Sequence, residues 1–126
     1  SVASFLFDHI QVFRYFMKVY SPFICRHPAF PAMIDQDIRN TSVDSFLKSI
    51  ASLRHTDLTY SLKDLQMPVE GMYGIKDNIV APGQWKVLKN SVVHAKIHLF
   101  DKARHFIMLD QPAEFTQSIQ NFLRRE

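Results

Sequence analysis

The apolar residues of this 126-residue chain change their spacing after Leu65, and this change constrains the fold more than any other feature. Before Leu65, apolar residues recur every three or four positions, which predicts helices. After it, the pattern predicts a strand, a helix, a second strand and a second helix. Strands that alternate with helices favour a parallel α/β unit. We therefore expect a helical segment, residues 1–60, followed by residues 61–126, which contain the predicted β-α-β-α unit and are called the second segment.

The helical segment is predicted to contain three helices joined by proline-rich turns. The first covers Val2–Tyr20 and is expected to end at Ser21-Pro22, because the residue before a proline avoids helical geometry. A short helix is predicted over Ala32–Arg39, and a third follows the capping residues Asn40–Ser42. The apolar face of that third helix is predicted from helical spacing and consists of Val43, Phe46, Leu47, Ile50 and Leu53.

The second segment begins with a strand over Val69–Tyr73, which Gly74 ends. A short helix is predicted over Gln84–Asn90, and the last helix is expected to start at Asp110–Pro112. Between these helices, Val92–Phe100 alternates like a strand with one polar face. The predicted apolar side carries Val93, Ala95, Ile97 and Leu99, and the polar side carries His94, Lys96 and His98.

Composition excludes several classes of protein. The chain has only 3 glycines, so it contains no glycine-rich nucleotide-binding loop. Its net charge of +3 comes from scattered basic residues, which predicts no nucleic-acid partner. Charged residues interrupt the apolar N-terminal stretch, so no membrane span is expected. Cys25 is the single cysteine and cannot form an internal disulfide, which fits a reducing compartment and a cytoplasmic location.

The spacing of His94 and His98 would suit a metal only on a helix. On a strand, four residues span about 13 Å, which is too far for two ligands of one ion. We therefore expect no metal site and no cofactor in this chain.

Two runs in the second segment carry a family resemblance. Met67–Pro82 has a Pro-Val-led strand, then Tyr-Gly, an aspartate, Val and Pro. Phe100–Phe115 has a histidine followed by an aromatic residue, then a proline and a glutamate-bearing helix. In this order, the two runs resemble the acid-bearing loop and the catalytic-histidine loop of α/β-hydrolase-fold enzymes. The resemblance implies the C-terminal part of that fold, with Asp77 as triad acid and His105 as general base.

The implied roles agree with the chemistry of hydrolysis. A hydroxyl is a weak nucleophile at neutral pH, so an imidazole must accept its proton. A carboxylate on the other ring nitrogen fixes the tautomer and stabilises the imidazolium. Because the carboxyl ends of neighbouring parallel strands meet at one edge of a sheet, we expect Asp77 and His105 to lie close together.

The nucleophile itself is missing from this sequence. No serine lies in the G-x-S-x-G context of a nucleophile elbow, and no glycine flanks Cys25. The resemblance therefore implies a fragment of a longer hydrolase, inactive alone, whose nucleophile (Ser, Cys or Asp) lies upstream. Residues 1–60 would then be the end of a helical cap. The substrate is expected to be a small ester-like or other apolar molecule.

Two further expectations concern partners and an alternative function. The first predicted strand lacks the neighbour that a parallel sheet needs, so we expect a homo-oligomer, specifically a homodimer, or pairing with the missing N-terminal half.

Arg104 stands where the family usually has a glycine before its histidine. The alternative function is therefore a non-catalytic interaction or ligand-binding module derived from the same fold.

Overall fold

The structure, a computed structural model, describes residues 10–81 and 83–124. Contacts within the chain divide it into two units. The helical unit contains the described residues up to Pro22 together with His27–Asp57. The second unit, here called the α/β unit, contains Phe23–Arg26 and the residues from Leu58 onward. The assignment of the helical unit to a cap stays a prediction.

Three helices account for most of the helical unit. They are α1 (Ile10–Ile24, whose last two residues belong to the α/β unit), α2 (Phe30–Arg39) and α3 (Val43–His55). Helix α3 begins where the sequence predicts it, because the Ser42 hydroxyl accepts the backbone N–H of Ser45 at 3.1 Å. The part of the first predicted helix before residue 10 lies outside the described residues.

The prediction that the first helix ends at Ser21-Pro22 is wrong. Helix α1 continues to Ile24 with Pro22 inside it. A proline has no N–H to donate to the carbonyl four residues earlier, here that of Lys18. The Ser21 hydroxyl donates to the Lys18 carbonyl at 2.7 Å instead. This bond satisfies the carbonyl that Pro22 leaves open, and the helix is not interrupted.

The α/β unit has a parallel two-stranded sheet. In chain order its elements are α4 (Thr59–Leu62), β1 (Glu70–Gly74), α5 (Gln84–Ser91), β2 (Lys96–Phe100), α6 (Ile107–Asp110) and α7 (Pro112–Leu123). The strands pair in register from Glu70 opposite Lys96 to Gly74 opposite Phe100. Gly83 precedes α5 with a φ of +89°, a left-handed conformation that favours glycine. The predicted β-α-β-α order is confirmed.

The core of the α/β unit is built on the second strand and the segment after it. Phe100, Ala103 and Ile107 are buried, and Met72 and Phe115 pack against them. Met72 comes from β1 and Phe115 from α7, so the core joins the sheet to the last helix.

Strand β2 differs from the prediction in length and in the face that meets the core. It begins at Lys96, and Val93 lies before it with 86% of its surface exposed. The His98 ring stacks on that of buried Phe100 at a centroid distance of 4.3 Å, so the predicted polar face is the one that carries the core. Parallel strands pack on both faces, so alternation of polar and apolar residues does not identify the core side.

The predicted apolar face of α3 is largely exposed. Phe46, Leu47, Ile50 and Leu53 are each at least 37% exposed, and the side chain of Val43 lies outside the description.

Within residues 10–81 and 83–124, no helix combines the length and the apolar character that a membrane crossing requires.

Candidate functional site

The loop after β1 holds the Asp77 carboxylate in place. The Asp77 N–H donates to the carbonyl of Gly74 at 3.2 Å, which closes a turn directly after the strand. The carboxylate oxygen Oδ1 then accepts the backbone N–H groups of Ile79 at 2.8 Å and Val80 at 3.1 Å. An aspartate that binds the backbone two residues ahead is a standard turn former. Oδ1 is thus engaged locally, and Oδ2 is left for a second partner.

The loop after β2 is tied to the end of β1 by backbone bonds. The Ile75 N–H donates to the carbonyl of Phe100 at 2.9 Å, and the Lys76 N–H donates to that of Ala103 at 3.0 Å. Farther along the same loop, the His105 N–H donates to the carbonyl of Ile24 at 3.1 Å. The first two bonds extend the strand pairing into the two loops that carry Asp77 and His105, and the third joins the His105 loop to the end of α1.

Gly74 is needed where these two loops meet. A Cβ atom at this position would lie 2.2 Å from the backbone oxygen of Arg104 and 2.7 Å from that of Ala103. Both atoms belong to the main chain, so they cannot move aside as the end of a flexible side chain could. The close approach of β1 to the His105 loop therefore depends on the missing side chain.

Asp77 and His105 are hydrogen-bonded. The Nδ1 atom of His105 lies 3.0 Å from Oδ2 of Asp77, and it donates because an ionised carboxylate can only accept. The His105 side chain is 32% exposed and the Asp77 side chain 16%. The ring of Phe106 meets the His105 ring edge-on at 5.1 Å. The two residues that the sequence predicts as site residues therefore lie in direct contact, as the parallel strand order requires.

The other ring nitrogen of His105, Nε2, differs from Nδ1 in its bonding. In the part of the chain that the structure describes, no group hydrogen-bonds to Nε2 of His105. With Nδ1 holding the proton toward Asp77, Nε2 carries a lone pair and can accept a proton from a group outside the described residues.

A second histidine–carboxylate pair joins the strands to α7. His98 Nε2 lies 2.8 Å from Oε1 of Glu114, and His98 Nδ1 lies 2.8 Å from the hydroxyl of Ser118. That hydroxyl donates to Oε1 of Glu70 at 2.9 Å. Both ring nitrogens of His98 therefore have protein partners. We call these four residues the His98 cluster.

Metal binding has no support in the described residues. Across residues 10–81 and 83–124, no group of three or more His, Cys, Asp or Glu side chains could hold an ion. His94 does not join His98 but lies with Nε2 2.9 Å from the carbonyl of Met67.

Both units contain clefts among the described residues. A cleft of about 270 Å³ in the α/β unit is lined by Tyr73, Ile75, Asp77 and Trp85 among others. Burial raises the pKa of Tyr73 above its usual value of 10, so its hydroxyl stays protonated at neutral pH. The helical unit has an apolar cleft of about 220 Å³, lined chiefly by Phe13, Met17, Ile34, Ile38 and Phe46.

Asp110 makes polar contacts that the sequence does not reveal. From the sequence it is only a residue near the start of the last helix. In the structure its Oδ2 accepts the Arg104 N–H at 2.7 Å, and its Oδ1 accepts the Arg26 N–H at 2.6 Å and the Cys25 thiol at 3.1 Å. Its place five residues after His105 in the second motif is the one signal that could have directed attention to it.

The solved structures that are similar to this chain include an esterase and a bromoperoxidase. An esterase from Exiguobacterium antarcticum matches with a TM-score of 0.75 at 19% identity, over 98% of this chain and 47% of the esterase chain. A bromoperoxidase from Bacillus anthracis matches with a TM-score of 0.77 at 16% identity, over 98% of this chain and 48% of that chain. No protein-family model and no curated protein matches the chain.

Both solved structures are α/β-hydrolase-fold proteins, and at these identities the likeness establishes the fold alone. The chain spans about half the length of either structure, which is consistent with the C-terminal part of the fold.

Proposed function

From the α/β-hydrolase fold we propose that this chain supplies the acid and the general base of a nucleophile–His–acid triad. Asp77 is the acid, His105 is the base, and the nucleophile comes from a segment upstream of this chain. The observation that supports the proposal most strongly concerns the ring of His105. Its Nδ1 is bound to Asp77 at 3.0 Å, while its Nε2 has no partner within residues 10–81 and 83–124.

The proposed reaction uses both ring nitrogens. When the nucleophile attacks an ester carbonyl, Nε2 of His105 takes its proton and the ring becomes an imidazolium. The Asp77 carboxylate stabilises that cation and holds the tautomer with Nε2 unprotonated in the resting state. The imidazolium then gives its proton to the leaving oxygen, and a second cycle with water releases the acid product. The donors that stabilise the oxyanion belong to the upstream segment.

The substrate class is proposed to be small-molecule esters or other apolar molecules. The cleft beside Asp77, which Tyr73, Ile75 and Trp85 also line, favours a substrate with apolar parts. We further propose that the open edge of β1 pairs with a strand of the missing N-terminal half or with a second copy of the chain. Two parallel strands alone make a marginal sheet, which supports such a partner.

A non-catalytic interaction module is the second candidate, and Arg104 is the feature that favours it. A glycine before the histidine would allow a left-handed backbone at that position. Among the described residues, however, only Gly83 has a positive φ, so Arg104 fits its position without that strain. The departure therefore does not disturb the loop geometry, and we prefer the catalytic proposal.

The proposal is tested in the natural full-length protein with an activated aryl ester as substrate. We expect His105→Ala to lower kcat/KM by about 10⁴-fold, because the base and the proton donor are lost together. The matched control is His94→Ala, which removes an imidazole that bonds only a backbone carbonyl in the same unit. This control should leave kcat/KM unchanged.

The outcomes separate the two candidates. Equal activity in the wild type and His105→Ala would reject the triad assignment. A folded wild type that hydrolyses no activated ester, thioester or amide would favour the interaction module.

A further inference from the structure

The main chain on the N-terminal side of His105 is held at two consecutive residues. The Arg104 N–H donates to Oδ2 of Asp110 at 2.7 Å, and the His105 N–H donates to the carbonyl of Ile24 at 3.1 Å. The carboxylate of Asp110 also accepts the Arg26 N–H at 2.6 Å. Asp110 and Ile24 together therefore clamp the His105 loop to the segment 24–26.

The bonding pattern of Asp110 requires a carboxylate. Its three partners, the N–H groups of Arg104 and Arg26 and the thiol of Cys25, are all donors. An asparagine of the same shape would turn an NH₂ group toward at least one of them, and two donors cannot bond. Burial by itself would raise the pKa of Asp110, but the N–H groups of Arg104 and Arg26 and the Cys25 thiol lower it below its usual value of 3.8. The group is therefore an anion at neutral pH.

The clamp lies beside the contact that matters for the proposed chemistry. His105 follows Arg104 directly, and its ring must meet Asp77 within hydrogen-bond distance. A shift of the loop by a fraction of an ångström would lengthen that 3.0 Å bond. Asp77 sits on a different loop and is held by its own turn, and the backbone bonds that join the two loops reach only to Ala103, before Arg104 and His105.

We propose that Asp110 is a positioning residue, which fixes the His105 loop against residues 24–26 so that the His105 ring stays bonded to Asp77. Among the described residues no hydrogen bond joins Asp110 to the ring or to Asp77, so it acts through the main chain. The inference rests on the proposed function of His105, and it also gives buried Cys25 a role as a donor to Asp110.

The experiment uses the natural full-length protein labelled with ¹⁵N-histidine. The ring nitrogen shifts of His105, assigned with His105→Ala, report which nitrogen carries the proton. We expect Asp110→Asn to reduce the share of the Nδ1–H tautomer and to lower kcat by about 10²-fold with KM within about twofold of the wild type. Asp110→Glu, which keeps the carboxylate, should recover part of both.

The matched control is Asp101→Asn. It makes the same chemical change in the same loop, but Asp101 is exposed and accepts only a 3.5 Å bond from Gln111. Its tautomer and kcat should equal those of the wild type. If Asp110→Asn does not fold, Cys25→Ala takes one donor from the carboxylate and should lower kcat several-fold with a smaller tautomer change.

The ring signals keep this test separate from the test of function. A folded Asp110→Asn protein, or in its place a folded Cys25→Ala protein, with wild-type tautomer and kcat would overturn the proposal. An inactive wild type would reject the triad proposal, while the tautomer would still show whether Asp110 positions the ring.

Discussion

The two histidine–carboxylate pairs of the α/β unit are alike in the exposure of the histidine and in the distance to the carboxylate. They differ in how many ring nitrogens of the histidine have a protein partner. The side chains of His98 and His105 are each 32% exposed, and each ring bonds a carboxylate at 2.8 or 3.0 Å. In the His98 cluster both ring nitrogens have protein partners. Within residues 10–81 and 83–124, only one ring nitrogen of His105 has a protein partner. Exposure and an acidic partner therefore do not distinguish the two histidines, whereas the number of bonded ring nitrogens does.

Position on the strands explains the difference. His98 lies within β2, where packing against α7 brings Ser118 and Glu114 to its ring. His105 lies in the loop beyond the end of the same strand, where the neighbouring loop brings Asp77 to its Nδ1 atom. Strand interiors are covered on both faces in parallel sheets, whereas the loops at the strand ends can leave a group open to a ligand.

The largest effect that would sharpen this comparison is expected from Asp77→Asn. The amide keeps the shape of Asp77 but does not fix the same tautomer, so kcat in the full-length protein should fall by about 10³- to 10⁴-fold. Glu114→Gln makes the corresponding change at His98 and should leave kcat within about twofold. Steady-state hydrolysis of an activated ester measures both. Similar losses in the two variants would break the distinction between the pairs.

Gly74→Ala should have the next largest effect. The new methyl group meets the main-chain oxygens of Arg104 and Ala103, so we expect the free energy of unfolding to fall by about 1–3 kcal/mol. Gly71→Ala is the control in the same strand, since its methyl group meets only side chains, those of Leu88, Tyr73 and Ile97. Urea unfolding compares the two, and an equal or larger loss in Gly71→Ala would contradict the prediction.

Ser118→Ala tests the His98 cluster as a structural feature. Ser118 is 5% exposed and bonds both His98 and Glu70, so its removal should cost about 1–2 kcal/mol of unfolding free energy. Hydrolysis should be unchanged. Ser49→Ala, at an exposed hydroxyl that bonds only the Ser45 carbonyl, should change neither quantity. A fall in kcat without a fall in stability would assign the cluster to the chemistry instead.

The smallest effect is expected when acid protonates Asp110 and changes the free energy of unfolding. Because the pKa of Asp110 is lowered in the folded state, its ionised carboxylate stabilises the folded protein above pH 3.8. This stabilisation is lost as the pH falls below 3.8. The difference in unfolding free energy between the wild type and Asp110→Asn should therefore be constant above about pH 5 and narrow below 3.8. Urea unfolding at several pH values measures it. A difference that stays constant in acid would contradict the lowered pKa.

Local patterns predicted the elements well because helices and strands depend on nearby residues. Ser42 begins α3 as its capping role predicts, and Gly74 ends β1 as expected. The error at Pro22 also has a local cause, since the Ser21 hydroxyl replaces the bond that the proline cannot make. The burial of β2 could not be predicted, because it depends on which helices cover each face.

The contact between Asp77 and His105 could be predicted from the strand order, whereas the hydrogen bonds of Asp110 could not. Asp77 and His105 each follow a parallel strand, and that order brings their loops together. Asp110 escaped prediction because its partners Cys25 and Arg26 lie 85 and 84 positions away in the sequence. The spacing of residues around Asp110 does not indicate Cys25 or Arg26 as partners, and the spacing around those two residues does not indicate Asp110.

The sequence by itself determined the order of helices and strands and the two residues that meet at the strand ends. Only the tertiary structure decided that both ring nitrogens of His98 are bonded, that within residues 10–81 and 83–124 only one ring nitrogen of His105 is bonded, and that Asp110 accepts the Arg104 N–H. The physical reason is that periodicity and capping act within a few residues. Hydrogen-bond saturation of a side chain depends instead on groups that folding brings from distant parts of the chain.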